Sequence, residues 1–173
     1  MMNSDERKIT CCFTGHRADK LPWVNDERSP MCLALRTAIY DAVDAVYASG
    51  WRRFICGMAN GCDTYFGEAV VALREEHPDI ILEAAIPYEG QERAWKAEQR
   101  LRYARLAESC DRVTVLSPFY HRGCMMERNR YMVDRSSVLI AVYGGGSGGT
   151  KNTLEYAASQ GLSIIRLPTE IFS

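Results

Sequence analysis

The stretch "SVLIAVYGGGSGGTKNTLEYA", residues 137–157, decides the fold. An apolar run, SVLIAVY (137–143), precedes five glycines in the six positions 144–149, and a helix-like run follows. A short apolar run bounded by glycine reads as a strand buried on both faces. Strand, bare loop and helix in that order form one half of a β–α–β unit. Glycine turns the backbone through positive φ and has no Cβ to keep a ligand away. Successive bare N–H groups make an anion-binding nest, and the helix N-terminus behind them adds its positive end. Thr150 closes the loop, where a hydroxyl can cap the helix or meet a phosphate oxygen. A glycine run can also be only a flexible surface loop, but its place between strand and helix favours the cradle. The spacing is not the GxGxxG fingerprint after a first strand, and no GK[ST] makes it a Walker loop.

Working outward, the same alternation repeats. ITCCFT (9–14) reads as a first strand buried on both faces. After a loop with Pro22 and Pro30, Leu35, Ile39, Val43 and Val46 recur at helical spacing, and Gly50 closes that helix as a C-cap would. RRFICG (52–57) is the second strand, and Phe66, Ala69, Val70 and Leu73 mark a helix ending before Pro78. IILEAAIP (80–87) is the third strand. A long helix over 90–109 follows, with Ala94, Ala97, Leu101 and Ala104 expected inward. RVTVLS (112–117) is the fourth strand, and Met125, Met126, Asn129, Met132 and Val133 mark the next helix face. The last helix is predicted over 152–160 and the last strand is LSIIRLP (162–168). Six strands alternating with helices predict an α/β, Rossmann-like doubly wound fold, its mainly parallel sheet covered by helices on both faces. Without a repeat, linker or low-complexity segment, residues 1–173 read as a single domain.

Composition excludes several classes. The 173 residues suffice for a core without staples. A formal net charge of −1 provides no global field for a polyanion, so any phosphate site must be local. No apolar run approaches the roughly 20 residues a membrane span needs, and MMNSDERKIT lacks a signal peptide's apolar centre. The seven cysteines are Cys11, Cys12, Cys32, Cys56, Cys62, Cys110 and Cys124; their count is odd and no CxxC pair occurs. Free buried thiols in a reducing compartment, and so a cytoplasmic chain, is the expectation. His121-x-x-Cys124 is the one metal-like spacing; without a second pair it predicts no metal site. No bound cofactor is expected.

In doubly wound folds ligands sit beyond the carboxyl ends of the strands. Three of those ends carry glycine with polar residues: TGHR (14–17), GMANGCD (57–63) and GGGSGGT (144–150). Candidate ligand-binding residues are therefore Gly15, His16, Arg17, Gly57, Gly61, Asp63, Gly146, Gly148, Gly149 and Thr150. His16 and Arg17 can meet a phosphate or a base. Asp63 falls near a helix start, where it either caps through the dipole or accepts ribose hydroxyls. Arg128 and Asn129 of ERNR (127–130) lie in or beside the Met stripe, and buried Asn and Arg need partners. They either lock the loops together or face the ligand, and Asp134 is a candidate member of that network.

Together, CFTGHR, GMANGCD, ERNRYMVDRSSVLIAVYGGGSGGT and TLEYA resemble the YpsA-like branch of the SLOG superfamily over nearly the whole chain. The resemblance implies a Rossmann-like domain with a nucleotide-derived ligand at its glycine loops, related to ADP-ribose or NAD, in a sensor or regulatory role. The superfamily also includes the LOG phosphoribohydrolases and the DNA-processing protein DprA, which supply two rival readings. The LOG pattern PGGxGTxxE puts a catalytic glutamate three residues after the threonine, but here that position is Thr153. Glu155 stands two residues further, about 200° round the helix, which argues against cleavage of a nucleoside-monophosphate N-glycosidic bond. If such chemistry exists, Glu127, Glu155 and Asp63 are the candidate acids. CGMANGCD and ERNR are similar to DprA's SGxAxGID and RNR, which implies single-stranded DNA binding. Balanced charge and the alternation of Arg and Glu on the 90–109 helix argue against a DNA track. Superfamily members commonly associate through helices, so a homodimer through the 125–133 helix is among the expected partners.

Overall fold

A computed structural model describes residues 3–24 and 26–167. Pro168, the end of the predicted last strand, lies outside them. The strands are β1 (Thr10–Gly15), β2 (Arg53–Cys56), β3 (Ile81–Ile86), β4 (Arg112–Val115), β5 (Val138–Val142) and β6 (Ser163–Arg166). The helices are α1 (Ser4–Lys8), α2 (Pro30–Ala48), α3 (Cys62–Glu76), α4 (Ala97–Ser109), α5 (Cys124–Asp134) and α6 (Gly149–Ser159). A 3-10 turn at Ala18–Lys20 follows β1. The short α1 was not expected from the sequence.

The strands form one parallel sheet in the order β4-β3-β2-β1-β5-β6. This is the Rossmann-like architecture the alternation predicts. Every residue of β5 is buried, as a strand covered on both faces requires. The period of two divides the core. Cys11, Phe13, Phe54 and Ile140 face α2 and α3 with Leu35, Ile39, Phe66 and Val70. Cys12, Ile55, Leu139 and Ala141 face α5 and α6 with Met132, Val133 and Leu154. Phe13 stacks on Phe66, ring centroids 4.7 Å apart. Helix α2 starts on Ser29, whose hydroxyl accepts from the Cys32 N–H, with Pro30 in the first turn. It ends at Gly50, which takes φ +115° just beyond the last turn.

Two elements depart from expectation. The helix predicted over 90–109 begins only at Ala97, and residues 90–96 form turns. Its expected inward stripe faces solvent: Ala94, Ala97 and Ala104 are exposed, and Leu101 is 53% exposed. Leu106 is buried instead, because Arg102 is drawn inward to Glu27 and Glu68, both at 2.6 Å. These ion pairs roll α4 onto α3 by its charged side. Helix α6 starts at Gly149, three residues before the predicted start, so its first turn lies inside the glycine loop.

Candidate functional site

Strand β1 lies between β2 and β5. The chain leaves β1 towards one side of the sheet and returns on the other, which opens a crevice at the carboxyl ends of β1 and β5. Gly15 and Val142 are register partners there, so the loops after these strands face each other.

Glycine is required at two of these positions. Gly61 takes φ +104°, and a Cβ there would stand 2.5 Å from the Ala18 nitrogen. Its absence lets the GMANGCD loop press on TGHR. The Ala18 N–H donates to the Asn60 carbonyl at 3.3 Å, and the Cys62 N–H donates to the His16 carbonyl at 3.1 Å. Gly57 lies deeper, where a Cβ would come 2.6 Å from Arg128 Nη1 and 2.8 Å from Asp63 Oδ2. Met58 sits between them at φ +60°, a left-handed conformation rare for a side chain of its kind.

The floor of the crevice is a buried polar cluster. Asp63 is 6% exposed, Arg128 5% and Asn129 8%. Arg128 donates through Nε to Asn129 Oδ1 at 2.8 Å and through Nη1 to the Gly57 carbonyl. Asp63 Oδ2 accepts the Ala59 N–H at 3.1 Å. Asp63, in the first turn of α3, thus fixes the loop before it rather than capping the helix, whose N-cap is Gly61. Burial pushes its carboxyl pKa up, against the lowering influence of Arg128, the Ala59 N–H and Arg17. Burial likewise holds the Arg128 guanidinium below its ordinary value, with Asp63 opposing.

The wall opposite is basic and bare. Lys20, Arg17 and Lys151 line it with Gly148, Gly149 and Thr150 from the first turn of α6. A Cβ on Gly148 would lie 3.9 Å from Lys20 Nζ, and none on Gly145, Gly146 or Gly149 would meet an atom within 4 Å. His16 Nε2 accepts the Gly144 N–H at 3.0 Å. That bond requires a neutral ring, and burial followed by the charge of Lys20 holds the His16 pKa below its usual 6.5. Tyr143 donates its hydroxyl to the Gly146 carbonyl, bracing the loop from within. The enclosed volume is about 120 Å³, small against the roughly 300 Å³ at the lower end for ligand pockets. It suits a phosphate-sized group rather than a whole dinucleotide.

The predicted residues are distributed around this cleft. Gly15, His16, Arg17, Asp63, Arg128, Asn129, Gly148, Gly149 and Thr150 line it together. Gly57 and Gly61 lie beneath and behind it, shaping the loops, and Gly146 bends its own loop without lining the cleft. Glu127, 62% exposed, reaches His121 at 3.4 Å, and Glu155, 65% exposed, reaches Lys151 at 3.8 Å. Neither lines the cleft, which leaves Asp63 as its acid among the three. Met125 and Met132 also line it, so the Met stripe divides between core and site. Sequence reasoning missed Lys20, Lys151 and Tyr143. Their nearness to TGHR and to the glycine run was the signal available. Among the described residues no three His, Cys, Asp or Glu side chains gather as a metal site, and no helix is long and apolar enough to cross a membrane.

The YpsA family model, described as "YspA SLOG family", matches residues 11–163. An uncharacterized SPbeta prophage-derived protein, YoqJ of Bacillus subtilis, is 29% identical over 143 residues, 75% of this chain and 84% of its own length. A UPF0398 protein of Shouchella clausii is 27% identical over 146 residues, 82% of this chain and 77% of its own. Among solved structures, DNA processing protein A (DprA) from Streptococcus pneumoniae superposes with a TM-score of 0.63 at 19% identity. The superposition covers 94% of this chain but 51% of that one, so the chain spans about half of DprA's length. Sheet order, glycine loops and the matched span agree: the chain belongs to the YpsA family of SLOG proteins.

Proposed function

We propose that the chain binds a small nucleotide-derived ligand, related to ADP-ribose or NAD, and acts as a sensor or regulatory module. The observation that carries this reading is the bare first turn of α6 facing Lys20 and Arg17 at the switch in strand order. Helix N-terminus, unhindered N–H groups and three basic side chains favour a phosphate there. Arg128 acts from below: its guanidinium is held by Gly57 and Asn129, so it adds a fixed positive charge.

Saturation tests the reading. Ligand at 100 times its Kd stabilises a fold by about 2.7 kcal/mol, and for a chain of this size each kcal/mol is worth about 2–4 °C in Tm. ADP-ribose or AMP at saturation is therefore expected to raise Tm by roughly 5–10 °C. No shift with any nucleotide at millimolar concentration would sink the proposal.

A second reading rests on Asp63, a cleft-lining carboxyl whose pKa is raised by burial and which is suited to proton transfer. Under that reading AMP releases free base, and Asp63→Asn abolishes the release. The outward aim of Glu127 and Glu155 supports binding over hydrolysis. Single-stranded DNA is a rival ligand; it would announce itself by a steep fall in affinity with salt.

A further inference from the structure

Beyond the phosphate cleft a second cavity, of about 250 Å³, opens on the other side of Arg17 and Ala59. Arg17, Ala59 and Met125 line both cavities, so the two are lobes of one cleft. The character changes across that ridge. The first lobe is basic and bare; the second is walled by Tyr88 and Trp95, with Asn60 and Asp19 supplying polar groups.

Folding alone does not account for the two rings. Tyr88 and Trp95 are half-buried, yet neither belongs to either apolar core cluster. Each is nevertheless held in orientation. Tyr88 meets Tyr120 edge-on at 5.4 Å between centroids, and Trp95 meets Tyr103 edge-on at 5.5 Å. The loop opposite is fixed as well: Gln91, buried in the same lobe, donates through Nε2 to the Met58 carbonyl at 3.3 Å. Met58 is the residue in left-handed backbone, and left-handed strain persists where surrounding structure enforces it. Its turn carries Ala59 and Asn60 to the cavity wall.

We infer that this second lobe is a base-binding subsite, which takes a planar heteroaromatic ring against Tyr88 and Trp95 while the phosphate of the same ligand rests on α6. Pinned aromatic faces accept a base's π-face, and Met125 conforms to it at the lobe junction. Asn60 and Asp19 present an amide and a carboxylate to the ring's polar edge. The inference rests on the phosphate reading above and adds to it where the base lies.

Titration calorimetry with AMP and ribose 5-phosphate separates the two. A stacked base adds on the order of tenfold in affinity or more, so the wild-type protein is expected to bind AMP at least tenfold more tightly than ribose 5-phosphate. In Trp95→Ala that ratio falls towards one through loss of AMP affinity, with ribose 5-phosphate unchanged, and Trp95→Phe restores it. Equal affinities in the wild-type protein, or equal weakening of both ligands in Trp95→Ala, would overturn the base subsite and leave the phosphate site standing. Binding of neither ligand removes the phosphate reading, and the subsite with it.

Discussion

Arg128 and Asp63 are buried ionisable groups whose charges favour each other against desolvation, with no ion pair within 4 Å between them among the described residues. Each makes the other's charge tolerable, so removing one leaves the other exposed to the full penalty of burial. Arg128→Met also leaves the Gly57 carbonyl and Asn129 Oδ1 without their donor and should destabilise the fold by about 1–3 kcal/mol in urea denaturation. The double variant with Asp63→Asn should lose less than the sum of the singles, by about 0.5–3 kcal/mol. Additive losses would mean that the two charges are uncoupled. His16 provides a pH dependence. Its folded pKa is lowered from 6.5, so its contribution to stability is present above 6.5 and is lost as pH falls through the folded value. Protonation also turns Nε2 from acceptor to donor and breaks its bond to the Gly144 N–H. Hydrogen exchange at Gly144, corrected for intrinsic rate, should accelerate as pH falls through the folded His16 pKa, below 6.5, in the wild type and not in His16→Asn.

At the scale of elements, α6 and the turn after β1 form the basic wall of the cleft, to which each contributes one lysine. Removing a charged hydrogen bond typically loses 1.5 kcal/mol or more, about tenfold in affinity. Lys20→Ala and Lys151→Ala should each weaken a phosphate ligand by about that factor, and the double variant should flatten the dependence of Kd on salt. Unchanged affinity in both would place the phosphate elsewhere. These lysines were hard to read beforehand, because an exposed lysine leaves no mark in hydrophobic periodicity and gains meaning only once β1 and β5 are neighbours. The start of α6 was hidden for a related reason: Gly148 and Gly149 are poor helix residues, yet they open it. Helix α4 misled because Arg102, polar by any scale, points inward to its carboxylates. By contrast β1 and β5 were legible, since strands buried on both faces must be apolar throughout. The clustered glycines were legible too, since backbone needing positive φ or close approach selects little else.

At the scale of the molecule, the sheet is the shared wall of two cores, one under α2 and α3 and the other under α5 and α6. Neither can be lost without stripping the strands that support the other, so one cooperative unfolding transition is expected. The cysteines offer a way to watch it. All seven are free; Cys11, Cys12, Cys32, Cys56, Cys62 and Cys124 are buried, and Cys110 is half-buried. Burial pushes the Cys12 thiol up to about 12, and Cys11, Cys56 and Cys62 upwards as well, so attack by a thiol reagent must await opening of the fold. Under native conditions a disulfide reagent should modify Cys110 ahead of the six others, whose release should be concerted. Staggered release would reveal independently opening halves. The chain thus carries its own chemical clock, spread across both sides of the sheet, and any ligand that binds only the folded state should slow it.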